Sequence, residues 1–159
     1  MNGKTHVATS IALSFGVATI LGVEPNFELA AGTALGALLP DIDHPNSILG
    51  RRLWGKHIPP KDRAKIAYKT HRKFTHYPEV WLVGSLILAF FYASSYPNFI
   101  GGVIIGWLGH LLGDMCTKSG IPSKIAGTLK FPITYRSGTP SVEYMFIGLS
   151  IILISIFLS

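Results

Sequence analysis

Val80–Gly113 reads VWLVGSLILAFFYASSYPNFIGGVIIGWLGHLLG, 34 residues without an Asp, Glu, Lys or Arg. Pro97 has no backbone N–H and restricts the residue before it, so Tyr96-Pro97-Asn98 divides the stretch into two helices, predicted over 80–95 and 99–112. Neither carries a continuous polar stripe, the pattern of a helix with apolar surroundings on every side. Thr5–Val23, Leu29–Pro40 and Tyr144–Ser159 are equally free of charge. They predict helices over 7–23, 27–40 and 144–158, giving an all-α bundle of about five short helices in a single domain, 1–159.

The rest of the composition agrees. Of 159 residues, 14% are charged and 48% hydrophobic, against about 25% charged in an average soluble domain, and mean hydropathy is +0.40. A disordered chain would show the reverse balance. The single cysteine, Cys116, excludes a disulfide scaffold. A span needs about 20 apolar residues, and several of these segments are shorter, so length leaves a buried-core reading open.

The basic residues favour the membrane. With five alternating spans and the N-terminus inside, all 14 Lys and Arg fall on one side: Lys4, nine in the 45–79 loop, and Lys118, Lys124, Lys130 and Arg136. The two outer turns, around Glu24–Glu28 and Tyr96–Asn98, contain none. This is the positive-inside pattern, and it predicts a multi-pass inner-membrane protein with its N-terminus in the cytoplasm. The first segment does not read as a cleaved signal peptide, because no small-x-small site follows Val23 and His6 interrupts its apolar region. A cytoplasmic face also keeps Cys116 reduced.

The metal-ligating residues gather on the same side. His6 opens the first helix, Pro40-Asp41-Ile42-Asp43-His44 closes the second, and His71-Arg72-Lys73-Phe74-Thr75-His76 precedes the third. His110 and Asp114 end the fourth, four residues apart and therefore on one helical face, while Glu143 opens the fifth. Bringing imidazoles and carboxylates from separate helix ends to one level is how a helical bundle builds a ligand cage. Ionisable groups at span ends are costly and point to function. His6, Asp41, His44, His71, His76, His110 and Asp114 are the candidate ligands, with Asp43 and Glu143 as candidate general bases. After Thr139-Pro140, Glu143 also reads as a first-turn partner of the helix dipole. His57 and Asp62 fit no cluster. Gly32 with Gly36, and Gly102 with Gly106, read as close-packing faces between helices.

A mixed His and carboxylate set without thiolate suits zinc best, with manganese or iron as alternatives; the number of ions is open. Such a centre polarises phosphoryl oxygens and activates water, which points to hydrolysis. No Gly-x-Ser-x-Gly, Walker loop or dinucleotide fingerprint occurs. Arg72 and Lys73, beside His71 and His76, are candidate holders of a substrate phosphate. The basic loop also attracts anionic membrane lipids, about 1 kcal/mol per Lys or Arg near the surface. Charge alone would also allow nucleic acid, but no aromatic-interleaved basic motif supports it.

In this order, the clusters resemble the bacterial inner-membrane family known as LexA-regulated, membrane-bound predicted metal-dependent hydrolases. That family shows an N-terminal His, Pro-Asp-x-Asp-His, His-Arg-x-x-Thr-His, and Gly-x-x-x-His-x-x-x-Asp-x-x-Thr-x-x-Gly. A Pro-Phe-like element and a late Glu follow. Here they are His6, Pro40–His44, His71–His76, Gly106–Gly120, Phe131-Pro132 in reversed order, and Glu143. Lys73 and Tyr77 depart from the Gly and Ser common around the second His motif. The resemblance implies a metal-dependent hydrolase expressed in the SOS response. Together with the residues it predicts action on a phosphodiester or phospholipid-like substrate at the cytoplasmic leaflet. Two competing readings are a non-enzymatic inner-membrane metal-binding or scaffold protein and a soluble or peripheral all-α zinc hydrolase.

Overall fold

A computed structural model of the chain describes residues 2–70, 72, 74–92 and 95–159. Among them are seven α-helices: α1 (Gly3–Ile20), α2 (Phe27–Leu38), α3 (Ile48–Leu53), α4 (Pro60–Thr70), α5 (Pro78–Tyr92), α6 (Pro97–Met115) and α7 (Pro140–Phe157). Side-chain caps start several of them. Asn2 Oδ1 accepts from Thr5 N at 2.9 Å, Asn26 Oδ1 from Leu29 N at 2.9 Å, and Ser47 Oγ from Gly50 N at 2.9 Å, each satisfying an orphan donor of the first turn. Proline occupies the first turn of α6 and α7, where its missing N–H costs nothing.

The five predicted helices are present with shifted ends: 7–23 runs from Gly3 to Ile20, and 99–112 extends from Pro97 through Met115. Two expectations need correction. The 45–79 stretch is not simply a loop, since α3, α4 and three short 3-10 turns (Pro40–Asp43 at its entry, then Gly55–His57 and Phe74–His76) order it. The chain is also not purely helical. Ile121–Ser123 (β1) and Gly127–Leu129 (β2) pair antiparallel, Ile121 opposite Leu129, and are entered through Gly120 and closed by Gly127, both at positive φ.

Only α7, among the described residues, is both long and apolar enough to cross a membrane; α5 is a shorter apolar helix. Helices α1 and α6 reach 18 and 19 residues, but Lys4, His6, His110 and Asp114 lie within them and dilute their apolar character.

Polarity is distributed inside out. Thr5, His6, Ser10, Ser14, Thr33, His110 and Asp114 are buried, while Leu86, Phe90 and Phe91 of α5 and Met145, Leu149, Ile152 and Ile156 of α7 are exposed. Helices surrounded by lipid gain little from burying apolar side chains against one another and pack through small and polar residues. The closest pairing, α2 against α6, has that character. A Cβ at Gly36 would collide with the Val103 carbonyl, and one at Gly106 with the Thr33 carbonyl. The two glycine pairs read from the sequence therefore let these backbones touch. Helix α1 packs across α2 and α6, and α7 lies along α1.

Candidate metal centre

The tight α2–α6 contact places the end of α2 and the turn Pro40–Asp43 beside the last turns of α6. Asp41 comes from that turn, His110 and Asp114 from α6, His6 from the first turn of α1, and His76 from the 3-10 turn before α5. Two triads result, His6–His110–Asp114 and Asp41–His76–His110, with the ligand atoms of each within 4.8 Å of one another. His110 belongs to both.

Hydrogen bonds settle which ring nitrogens face the centre. His110 Nδ1 lies 2.7 Å from the Ala37 carbonyl, which only accepts, so the proton is on Nδ1 and the lone pair on Nε2. The Thr75 hydroxyl donates to the Pro40 carbonyl at 2.6 Å, so its contact with His76 Nδ1 at 3.2 Å requires that nitrogen to donate as well. His76 Nε2 is then also a lone pair, and it sits 3.3 Å from His110 Nε2. Two acceptor nitrogens have no attraction for each other; a cation between them resolves the contact.

The remaining separations agree. His6 Nε2 is 3.4 Å from Asp114 Oδ1, and His76 Nε2 is 3.6 Å from Asp41 Oδ1 and 3.7 Å from Asp114 Oδ2. His110 Nε2 is 3.9 Å from Asp41 Oδ1. Ligands at zinc distances in a tetrahedron stand about 3.3–3.4 Å apart. The donor set and its spacing fit such an ion. Because Nδ1 of His110 is occupied, that ring offers one lone pair and the two triads cannot each hold a separate ion through it.

Surrounding groups orient these ligands. Arg72 Nε lies 2.9 Å from Asp114 Oδ2 while its Nη1 donates to the Gly120 carbonyl at 2.9 Å. Its φ of 57° is unusual for a residue with a side chain. The His6 and His110 rings stack, with centroids 3.7 Å apart. Burial opposes the charge on Asp41, but the adjacent His76, His110 and His6 rings outweigh it and hold the carboxyl below its usual range. Burial pushes Asp43 up; its Oδ2 lies 3.1 Å from the Thr75 hydroxyl oxygen. Exposure sets the access route: His6, His76, His110 and Asp114 are at most 2% exposed, whereas Asp41 is 15% exposed.

The structure thus brings together His6, Asp41, His76, His110 and Asp114 of the expected ligands. His44 stands outside both triads, and its Nδ1 accepts from Asn46 N at 3.2 Å. His71 and Lys73 lie outside the described residues. Arg72, expected to bind phosphate, is engaged with Asp114. Glu143 joins neither triad: its carboxylate receives Asn2 N and Gly138 N, both at 3.2 Å, and ties the start of α1 to the loop before α7. Thr75 was not anticipated as a functional residue. The signal for it was its named place in the His-Arg-x-x-Thr-His motif, His71–His76. Thr75→Val leaves every ligand in place but frees the His76 ring, so metal affinity should fall by about 10–100-fold, measured by titration against a competing chelator.

The family described as YdjM inner membrane protein matches residues 1–158. The chain belongs to this family. Within the YdjM family's reach, YdjM of Escherichia coli (strain K12), named an inner membrane protein, is 33% identical over 151 residues, covering 88% of this chain and 70% of its own length. The Shigella flexneri YdjM matches to the same extent. YvsG of Bacillus subtilis (strain 168), described as an uncharacterized protein, is 33% identical over 156 residues, 95% of this chain and 91% of the relative. No solved structure matches. Membership in the YdjM family accounts for the exposed apolar faces of α5 and α7, which an inner membrane would cover.

Proposed function

We propose that the five converging side chains hold one divalent ion, zinc, and that the protein is a metal-dependent hydrolase of phosphodiester or phospholipid-like substrates at the cytoplasmic leaflet. The observation that carries this reading is the 3.3 Å approach of His76 Nε2 to His110 Nε2, with carboxylate oxygens of Asp41 and Asp114 at 3.6 and 3.7 Å from His76 Nε2. When bound, zinc supplies Lewis acidity that polarises a phosphoryl oxygen and makes water a competent nucleophile near neutral pH. His110 and His76 are held in the ligating tautomer by Ala37 and Thr75. Arg72 fixes Asp114 and adds the remaining donors of its guanidinium for a phosphate oxygen. Asp43, next to Asp41 at the exposed edge of the centre, takes the proton that the attacking water loses. We place the N-terminus and centre on the cytoplasmic side, with more than one helix crossing, from the one-sided basic residues. The resemblance noted above adds LexA control to this proposal.

The test is hydrolysis of bis(p-nitrophenyl) phosphate by detergent-purified protein. Chelation should remove the activity and zinc restore it, and Asp43→Asn should lower kcat by about 10²–10⁴-fold at unchanged metal content. Hydrolysis that survives both treatments contradicts the reading. The near-complete burial of His6, His76, His110 and Asp114 favours one alternative, a structural centre without catalysis. Its signature is bound metal, loss of folding on chelation and no hydrolysis.

A further inference from the structure

Helices α1 and α7 run parallel. Asn2 N meets Glu143 at one end, and a Cβ on Gly16 would lie 3.2 Å from the Phe157 ring at the other. Between them runs an open groove of about 450 Å³, from Thr9 and Phe146 to Ile20 and Phe157. Its two hydroxyls are already used, since Thr9 Oγ1 donates to the Thr5 carbonyl at 2.8 Å and Ser150 Oγ to the Phe146 carbonyl at 2.7 Å. The groove therefore has only hydrocarbon to offer a ligand. Thr9 and Phe146 also line a second cavity of about 200 Å³ against Gly109, Gly113 and Cys116, so the two spaces adjoin at the level of the metal centre.

Length and charge identify the occupant. The groove follows α1 from residue 9 to 20, about 17 Å at the helical rise, close to the roughly 15 Å of hydrocarbon in one leaflet. At the centre's end of α1 lie Lys4 and Arg72, with Lys118 just beyond the end of α6 and Arg136 just before the loop held by Glu143. Beyond Ile20, the turn to α2 carries Glu24 and the first turn of α2 carries Glu28, with no cation in either.

We infer that the α1–α7 groove is the site of one acyl chain of an anionic membrane phospholipid, seated with its headgroup toward the metal centre. This deepens the proposed function and rests on it only for the headgroup's role as substrate. It makes a lipid, not a soluble phosphodiester, the molecule presented to Asp41 and Arg72.

The experiment uses the full-length protein in phosphatidylcholine vesicles doped with phosphatidylglycerol that carries a diazirine at mid-chain. After irradiation, labelled peptides are mapped and metal content is measured on the same samples. Labelling should concentrate on Leu13–Ile20 and Leu149–Phe157 and be displaced by unlabelled phosphatidylglycerol. Phosphatidylcholine should displace it about tenfold less effectively, equivalent to about 1.4 kcal/mol. Leu153→Trp, at a position open to lipid, and Gly16→Leu should each reduce groove labelling by a similar factor and leave labelling of α5 unchanged. Labelling spread evenly over α5 and α7, or unaffected by competitor and by both variants, would overturn the inference. Saturable groove labelling in a protein without metal supports the lipid site and fails only the metal reading; diffuse labelling with metal bound does the opposite.

Discussion

Replacing His110 with Ala empties the centre: bound metal falls from about one ion per chain, the occupancy of a single site, to background. No other substitution touches as much, because His110 Nε2 belongs to both triads and its Nδ1 anchors α6 to the Ala37 carbonyl. The loss also removes ligand-linked stability, about 4 kcal/mol when free metal is a thousandfold above Kd. Thermal unfolding with and without added zinc therefore separates wild type from variant, since only the wild type shifts. His44→Ala is the control. It lies three residues from Asp41, yet outside both triads, and should retain the ion. Equal metal content in wild type and His110→Ala would show that the ligands are misassigned.

Gly36→Val has the second large effect, on packing. A Cβ there meets the Val103 backbone, which has no rotamer through which to yield. Overpacking of this kind costs about 3 kcal/mol or more, a fall of roughly 10 °C in Tm for a chain of this size. The end of α2 supplies both the Ala37 carbonyl and the turn bearing Asp41, so metal binding should weaken in the same variant. Gly101→Ala is the matched comparison on α6. Nothing lies within 4 Å of its Cβ position, and Ala gains helix propensity of about 0.8–1.0 kcal/mol. A Gly36 variant as stable as Gly101→Ala would mean that α2 and α6 do not touch as described.

The sequence shows these features unevenly, for physical reasons. Pro97 marks the start of α6 because a missing N–H can be read from one residue. His110 with Asp114, and the two glycine pairs, are legible because helical periodicity places residues four apart on one face. The convergence of His6, Asp41 and His76 on that face was expected only as helix ends at a common level; which of His44, His71 and His76 takes part depends on tertiary position. Thr75 orients His76 through contacts with Pro40 and Asp43 some 30 residues away, and local pattern carries no trace of such a bond. Charge marks Arg72 as a phosphate holder, but its positive φ and its contact with Asp114, which no local pattern shows, emerge only in the fold. The hairpin escaped notice because strands of three residues show no alternation. It is tied by Glu79, whose Oε1 accepts from Ser123 Oγ at 2.5 Å and Ile125 N at 3.2 Å. The five-span reading followed from charge-free blocks. In the fold, α1 and α6 carry ligands themselves, and among the described residues α7 alone combines a span's length with its composition.

The most direct measurement is elemental analysis combined with X-ray absorption on the purified wild-type protein. The account predicts about one zinc per chain, coordinated by nitrogen and oxygen at about 2.0–2.1 Å, with imidazole scattering and no sulfur. A protein that takes up no metal on reconstitution, or a shell containing the sulfur of Cys116, would contradict it.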